Sequence, residues 1–129
     1  FQASAITHIA CIDARGFLVA SVMAYKLGLP LLLVRKQGKL PGSCIKQDYT
    51  LEYGTTSVEM QVDACGDGDK ILLFDDLIAT GGTLLAAINL IRRLGAEVVD
   101  VAAIVDLPAL GGSHKVEASG VPCFSLCAY

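Results

Sequence analysis

Two different spacings of apolar residues alternate along this chain, and the alternation limits the fold more than any other feature. THIACID (7–13) is short, apolar and rich in β-branched residues, which is typical of a buried strand. ARGFLVASVMAYKLG (14–28) then has helical spacing and ends in glycine, and LLLVRK (31–36) is a second apolar strand. Such a strand–helix–strand unit predicts two parallel strands joined by a right-handed crossover. The predicted apolar face of the helix consists of Phe17, Val19, Val22, Met23 and Leu27.

A second unit of the same kind occurs further along the chain. ILLFDD (71–76) predicts a buried strand, TLLAAINLIRRLG (83–95) a helix, and EVVDVAAIVDL (97–107) another strand. A loop with a short helix is predicted at 108–120, and a last strand at 121–129. The apolar stripe of the second helix consists of Leu84, Ile88 and Ile91, with Leu85 at its edge.

The region between the two units lacks a helical period. QGKLPGSCIKQD (37–48) contains two glycines, one proline and three charges, and predicts a long mobile loop of a kind that often serves as a lid. YTLEYGTTSVEMQV (49–62) alternates around Gly54-Thr55 and predicts a β-hairpin, which is followed by a turn at 63–70.

The order of these elements predicts an α/β fold, an open and mostly parallel sheet flanked by helices, with an inserted β-hairpin and a flexible lid loop. The 129 residues fit one domain, 1–129, and the apolar fraction of 53% suits strands covered on both faces. Ligands of such sheets bind at the carboxyl ends of the strands. The Asp13–Arg15 turn, Arg35-Lys36 and Asp75-Asp76 all lie there.

Charge and cysteine content narrow the function classes. The net charge of −3 gives no reason to expect nucleic-acid binding, although the basic residues near the lid could bind a small anion. No stretch of about 20 uncharged apolar residues occurs, so no membrane segment is predicted. The five cysteines lack CxxC spacing, and the two histidines are isolated. This pattern predicts a reducing, cytoplasmic compartment and no cysteine–histidine metal site.

The turn Ala79-Thr80-Gly81-Gly82-Thr83 joins the strand predicted at 71–76 to the second helix. Its two glycines allow the backbone to approach a ligand closely. Its N–H groups lie at a helix N-terminus, where a phosphate is favoured, and its two threonines add hydroxyl donors. The turn therefore predicts a phosphate site.

The two carboxylates just before this turn, Asp75 and Asp76, would repel that phosphate. They can instead accept hydrogen bonds from a sugar diol or hold water around a metal ion. Together with the turn they predict a site for a ribose 5-phosphate. The alternative is a tight strand–helix connection with an aspartate cap. Neither a P-loop nor a G-x-G-x-x-G motif is present.

The segment ILLFDDLIATGGT (71–83) resembles the phosphoribosyl-pyrophosphate motif of type I phosphoribosyltransferases. IDARGFLVA, LVRKQGKLPG, LEYG and VPCFSL extend the resemblance over essentially all 129 residues and narrow it to the adenine-specific branch of that family. The resemblance implies a homodimeric purine-salvage enzyme. Such enzymes convert adenine and phosphoribosyl pyrophosphate to AMP and pyrophosphate with Mg²⁺.

The resemblance also implies roles for residues at the predicted site. Asp75 and Asp76 would contact the ribose hydroxyls directly or through the metal shell, and Ala79 to Thr83 would hold the 5-phosphate. Asp13-Ala14-Arg15-Gly16 resembles the pyrophosphate loop, in which Arg15 grips the leaving group. The family often has serine where this chain has Ala14.

Further roles fall on the lid and the hairpin. Arg35, Lys36 and Lys39 match basic residues that neutralise pyrophosphate, in part across a dimer interface. Glu52 in LEYG matches a residue assigned to proton handling at the purine, and Tyr53 would close against the substrates. Without the resemblance, both would be interpreted as ordinary hairpin residues.

Family members usually carry several dozen residues before the first strand, which form a hood over the purine. This chain starts at Phe1, so we expect it to lack the hood. Two alternatives remain open. One is another purine phosphoribosyltransferase, specific for xanthine or guanine. The other is a regulatory module that binds phosphoribosyl pyrophosphate without catalysis.

Overall fold

Seven strands and three α-helices make up the part of the chain that the structure, a computed structural model, describes, residues 6–12, 15–51 and 54–129. In chain order the elements are β1 (His8–Ile12), α1 (Gly16–Leu27), β2 (Leu31–Lys36), β3 (Cys44–Leu51), β4 (Gly54–Gln61), β5 (Lys70–Ile78), α2 (Gly82–Arg93), β6 (Glu97–Asp106), a 3-10 turn (Pro108–Leu110), α3 (Gly112–Ala118) and β7 (Cys123–Ala128).

All seven strands belong to one sheet, with the order β3-β4-β2-β1-β5-β6-β7. The pairs β1–β2, β1–β5, β5–β6 and β6–β7 are parallel, whereas the hairpin β3–β4 is antiparallel and joins β2 at one edge. This confirms the open, mostly parallel α/β sheet with an inserted hairpin. The chain leaves β1 toward β2 and later returns to its other side with β5, so the carboxyl ends of β1 and β5 flank a topological switch point.

The helices cover the two faces of the sheet unequally. The helix α2 packs Leu84, Ile88 and Ile91 into the larger core cluster, so its predicted stripe is confirmed. The helix α1 packs on the opposite face and buries only its small residues there, Gly16, Ala20 and Ala24. None of the helices in the described residues has the length and apolarity needed to span a bilayer.

The predicted apolar face of α1 was wrong in part. Phe17 and Met23 pack against the smaller core cluster, but Val19, Val22 and Leu27 are 37%, 58% and 40% exposed. Small residues at Ala20 and Ala24 bring the helix axis close to the sheet, and this rotates the larger side chains outward. A prediction from hydrophobicity alone therefore assigned part of the buried face of α1 wrongly.

The predicted loop at 37–48 was also wrong in its second part. The strand β3 begins at Cys44, pairs residue by residue with β4, and packs Ile45 against the core. The loop is therefore 37–43. The hairpin pairs Leu51 with Gly54, so Gly54-Thr55 belong to β4, and residues 52–53 lie outside the described residues. Cross-strand pairing fixed the register where composition suggested irregular chain.

The strand β5 continues two residues beyond its predicted end at Asp76. Its partner β6 runs to Asp106, and the ladder pairs Asp75 with Ala103, Leu77 with Val105 and Ile78 with Asp106. The two aspartates therefore lie inside a paired strand rather than in the turn after it.

Shortening the core stripe of α2 should destabilise the domain. Ile88 is 1% exposed, so Ile88→Ala leaves a cavity, and we expect it to lower the free energy of unfolding by about 2–5 kcal/mol. Asn89→Ala, on the exposed side of the same helix, should change it by less than about 0.5 kcal/mol. Urea unfolding of both variants measures this, and equal losses would contradict the assigned core face.

Candidate active site

A cleft of about 200 Å³ opens at the carboxyl edge of the sheet, beside the switch point. An adjoining depression follows the turn between β5 and α2 and shares Asp75, Leu77 and Thr83 with the cleft. Of the predicted site residues, the two together are lined by Arg15, Lys36, Asp75, Asp76, Ala79, Thr80, Gly81, Gly82 and Thr83. The structure therefore brings most of the described candidates into one continuous surface.

The ends of β5 and α1 meet at this cleft through an ion pair. The Arg15 Nε lies 2.9 Å from the Asp76 Oδ2, and the Asp76 N–H donates to the Asp75 Oδ1 over 2.8 Å. The side chain of Arg15 is 79% exposed, so the pair contributes little to stability. Its guanidinium has further N–H donors that an incoming anion could accept.

Gly16 makes this close meeting possible. A Cβ at this position would lie 3.0 Å from the Cys11 Sγ and 3.4 Å from the Asp76 nitrogen. A larger residue would push the start of α1, and with it Arg15, away from β5. Gly16 therefore supports the site by having no side chain, which lets α1 approach β5, although Gly16 does not line the cleft.

The environment of Asp75 penalises its charged form. Burial, with a side-chain hydrogen bond to Asp76, raises the pKa of Asp75 to about 7, and the Arg15 charge opposes that rise. Near neutral pH, Asp75 is therefore protonated in a substantial fraction of the molecules. Hydroxyl donors or a cation bound at the pair would favour its fully ionised form.

The turn before α2 is built for close backbone approach. Gly81 has φ +88°, which favours glycine, and its carbonyl accepts the Leu85 N–H over 2.9 Å. The first N–H groups of a helix have no intrahelical acceptor. Among the described residues, none accepts the N–H groups of Thr80 to Thr83. The turn thus lines the depression with residues whose N–H groups have no acceptor among the described residues, as a phosphate site requires.

The basic residues of the lid are not all gathered at the cleft. Lys36 lines it, but Arg35 places its guanidinium carbon 5.8 Å from the centre of the Phe17 ring. Lys39 lies in the loop 37–43, where its N–H donates to the Lys36 carbonyl. Neither Arg35 nor Lys39 is among the described residues that line the cleft.

Four predicted site residues, Asp13, Ala14, Glu52 and Tyr53, lie outside the described residues. Their predicted roles therefore stay predictions. The residues on either side of Asp13 and Ala14 nevertheless border the cleft, because Ile12 and Arg15 both line it.

Sequence analysis missed two residues that shape the site. Tyr49 on β3 lines the cleft, and its ring lies 3.4 Å from the position that a Cβ on Gly82 would occupy. Glu59 on β4 is 8% exposed and accepts the Gly38 N–H at the base of the lid over 3.0 Å. A carboxylate between the buried Val58 and Met60 was the available sign that Glu59 has a polar partner.

The donor set suits a magnesium ion that is shared with a substrate. No group of three or more His, Cys, Asp or Glu side chains that could hold a metal occurs in the described part of the chain. Asp75 and Asp76 supply two adjacent carboxylates at the cleft. Mg²⁺ commonly binds through one or two carboxylates, completing its shell with waters and substrate phosphates.

The proton on Asp75 should make stability depend on pH. Because the pKa is raised in the folded state, this group lowers the stability of the fold as the pH rises from about 4 to about 7. Asp75→Asn removes the effect, so the free energy of unfolding of the variant minus that of the wild type should increase across this window. Urea unfolding at several pH values measures it, and a flat difference would contradict the assignment.

Comparison with known proteins agrees with this geometry. Residues 3–123 match the phosphoribosyl transferase domain family. The chain is 65% identical over its whole length to an adenine phosphoribosyltransferase of Marinomonas sp. (strain MWYL1), of which it covers 72%. It is 56% identical over 96% of its length to one of Marinobacter nauticus, of which it covers 69%.

Solved structures agree as well. The adenine phosphoribosyltransferase of Rhodothermus marinus superposes with a TM-score of 0.92 and 41% identity over 96% of this chain and 70% of that one. The Trypanosoma brucei enzyme, in complex with AMP, pyrophosphate and ribose-5-phosphate, gives 0.88 and 36% over 95% of this chain and 56% of that one. The resemblance is thus confirmed, and the chain belongs to the phosphoribosyltransferase family, within its adenine phosphoribosyltransferase branch.

Proposed function

We propose that this chain transfers the phosphoribosyl group of phosphoribosyl pyrophosphate to adenine in purine salvage, giving AMP and pyrophosphate. The observation that carries the proposal is the continuous surface joining Arg15, the pair Asp75-Asp76 and the turn 79–83. This surface contains a cation, two carboxylates and a set of N–H donors, which supports the proposal that they bind the pyrophosphate, the ribose and the 5-phosphate of one substrate. The Trypanosoma brucei relative was solved with AMP, pyrophosphate and ribose-5-phosphate.

The sugar phosphate would bind along β5 and the start of α2. The N–H groups of residues 79–83 and the hydroxyls of Thr80 and Thr83 would donate to the 5-phosphate. Asp75 and Asp76 would accept from the ribose hydroxyls, and these bonds would lower the raised pKa of Asp75 and release its proton. Mg²⁺, held by these carboxylates through water or the ribose hydroxyls, would supply charge neutralisation for the pyrophosphate.

The leaving group would lie toward Arg15 and the lid. The bond from the anomeric carbon to the pyrophosphate oxygen breaks, leaving positive charge on the ribose ring and negative charge on pyrophosphate. Donors of the loop Asp13-Ala14-Arg15-Gly16, with Lys36, would stabilise that negative charge. Arg35 and Lys39 would assist, in part across a dimer interface. Closure of the lid 37–43 would exclude water from the cation.

The purine would bind beyond the ribose, toward the hairpin end. We propose that the carboxyl group of Glu52 takes up the proton that adenine loses as its N9 attacks, and that Tyr53 closes against the substrates. These two roles rest on the family motif LEYG. Tyr49, two residues before the end of β3, already lines the cleft on that side.

The protein is further proposed to act in the cytoplasm as a homodimer of a single domain, residues 1–129. None of the five cysteines forms a disulfide, which supports a reducing compartment.

The exposed face of α1 supports the proposed dimer. On α1, Leu18, Val22 and Tyr25 share one helix face and are 79%, 58% and 88% exposed. A contiguous apolar face of this kind is typical of a protein contact, and a second copy is the occupant that we propose.

The proposed reaction predicts that AMP forms from adenine, phosphoribosyl pyrophosphate and Mg²⁺, and that hypoxanthine, guanine and xanthine give little product. Chromatographic assay of the nucleotide with each base measures this. Product from guanine or xanthine instead would favour the other purine transferases. No product with any base would contradict the transferase assignment and favour a binding module.

The proposed dimer predicts that a charge on the exposed face of α1 separates the protomers. Val22→Lys should shift the mass measured by light scattering from two chains to one, because an unpaired ammonium would be buried at the contact. Val62→Lys, at a 44% exposed position after β4, is the control and should leave the dimer intact. A monomeric wild type, or a dimeric Val22→Lys, would exclude this interface.

A further inference from the structure

We infer that Gly112, at the start of α3, is a positioning residue for the phosphate-binding turn 79–83. It lies about 30 residues further along the chain, in a segment that the proposed mechanism does not use. The inference rests on the proposed function, because it concerns affinity for the 5-phosphate. It adds a structural element to the site that contacts no ligand itself.

The chain after β6 lies directly behind the turn. The Leu107 N–H donates to the Ile78 carbonyl over 2.9 Å, and the Gly112 N–H donates to the Ala79 carbonyl over the same distance. These two bonds hold consecutive residues of the chain as it leaves β5. The start of α3 therefore continues, in effect, the pairing that β6 provides to β5.

Gly112 is required there for space rather than for conformation. Its φ is not positive, so its backbone shape is open to any residue. A Cβ at this position, however, would lie 2.4 Å from the Ala79 oxygen and 2.8 Å from the Gly81 nitrogen. In the reverse direction, a Cβ on Gly81 would lie 2.9 Å from the Gly112 Cα. In both cases the added Cβ meets backbone atoms, so no side-chain rotation can relieve the contact.

The Tyr49 ring also borders the turn, 3.4 Å from the position of a Cβ on Gly82. An added methyl group at 112 must push the start of α3 and the turn apart. That movement disturbs the Ala79 carbonyl and the Gly81 N–H, and the latter is one of the donors proposed for the 5-phosphate.

The test is Gly112→Ala, with Gly66→Ala as the matched control. Gly66 also lacks a positive φ, and its Cβ would only make an ordinary contact, 3.9 Å from the Leu94 oxygen. Calorimetry with ribose 5-phosphate and, separately, with Mg–pyrophosphate measures both halves of the site. We expect Gly112→Ala to weaken ribose 5-phosphate binding by about 10- to 100-fold and to leave pyrophosphate binding within about twofold. Gly66→Ala should leave both unchanged.

The outcomes separate this inference from the proposed function. Wild-type protein that binds ribose 5-phosphate, together with an equal affinity for Gly112→Ala, would overturn the inference alone. Wild-type protein that does not bind ribose 5-phosphate would overturn the phosphate assignment as well. An equal weakening of both ligands would indicate general loss of structure and would also count against a positioning role.

A milder variant covers failure of Gly112→Ala to fold. Val116 on α3 is fully buried in the larger core cluster, and Val116→Ala loosens the packing of that helix without adding an atom near the turn. We expect it to weaken ribose 5-phosphate binding more than pyrophosphate binding. Unchanged binding of ribose 5-phosphate would overturn the inference.

Discussion

The pairing of β5 with β6 beyond Phe74 is the constraint on which the site depends. The ladder continues through Asp75 to the pair formed by Ile78 and Asp106. Two carboxylates are therefore held by a rigid sheet rather than by a mobile turn. The turn toward α2 begins from a fixed point, and Arg15, carried by the start of α1, reaches the same strand through Asp76. The positions of the residues proposed to contact the substrate therefore depend on this extension of β5.

The extension also brings two carboxyl groups together, and the charge of Asp75 is unfavourable there. Burial, together with the neighbouring carboxyl group of Asp76, raises the pKa of Asp75 to about 7, and the exposed Arg15 offsets this only in part. A fold selected for stability alone would gain by replacing such a pair, whereas a substrate with hydroxyl donors and a metal ion would relieve it. Arrangements that lower stability occur most often at functional sites, and this carboxyl pair lines the cleft.

The parts of the structure that sequence analysis predicted are those with a strong local signal. The stripe of α2 and the apolar runs of β1, β2 and β5 identify their elements, and the motif 71–83 identifies the turn for which we propose phosphate binding. The first half of β3 has no such local signal. It forms a strand because β4 pairs with it. The buried face of α1 was misjudged because close packing through Ala20 and Ala24 outweighed the larger apolar residues. Gly112 and Tyr49 meet the turn only in space, so no spacing could have linked them to it.

The central claim is that Asp75 and Asp76 belong to one phosphoribosyl-pyrophosphate site, and calorimetric titration with that ligand and Mg²⁺ tests it most directly. Wild-type protein should bind one molecule per chain. The double variant Asp75→Asn with Asp76→Asn should give no measurable binding while circular dichroism shows that it stays folded. Unchanged affinity in the folded double variant would contradict the account, because the ribose would then have to be recognised elsewhere.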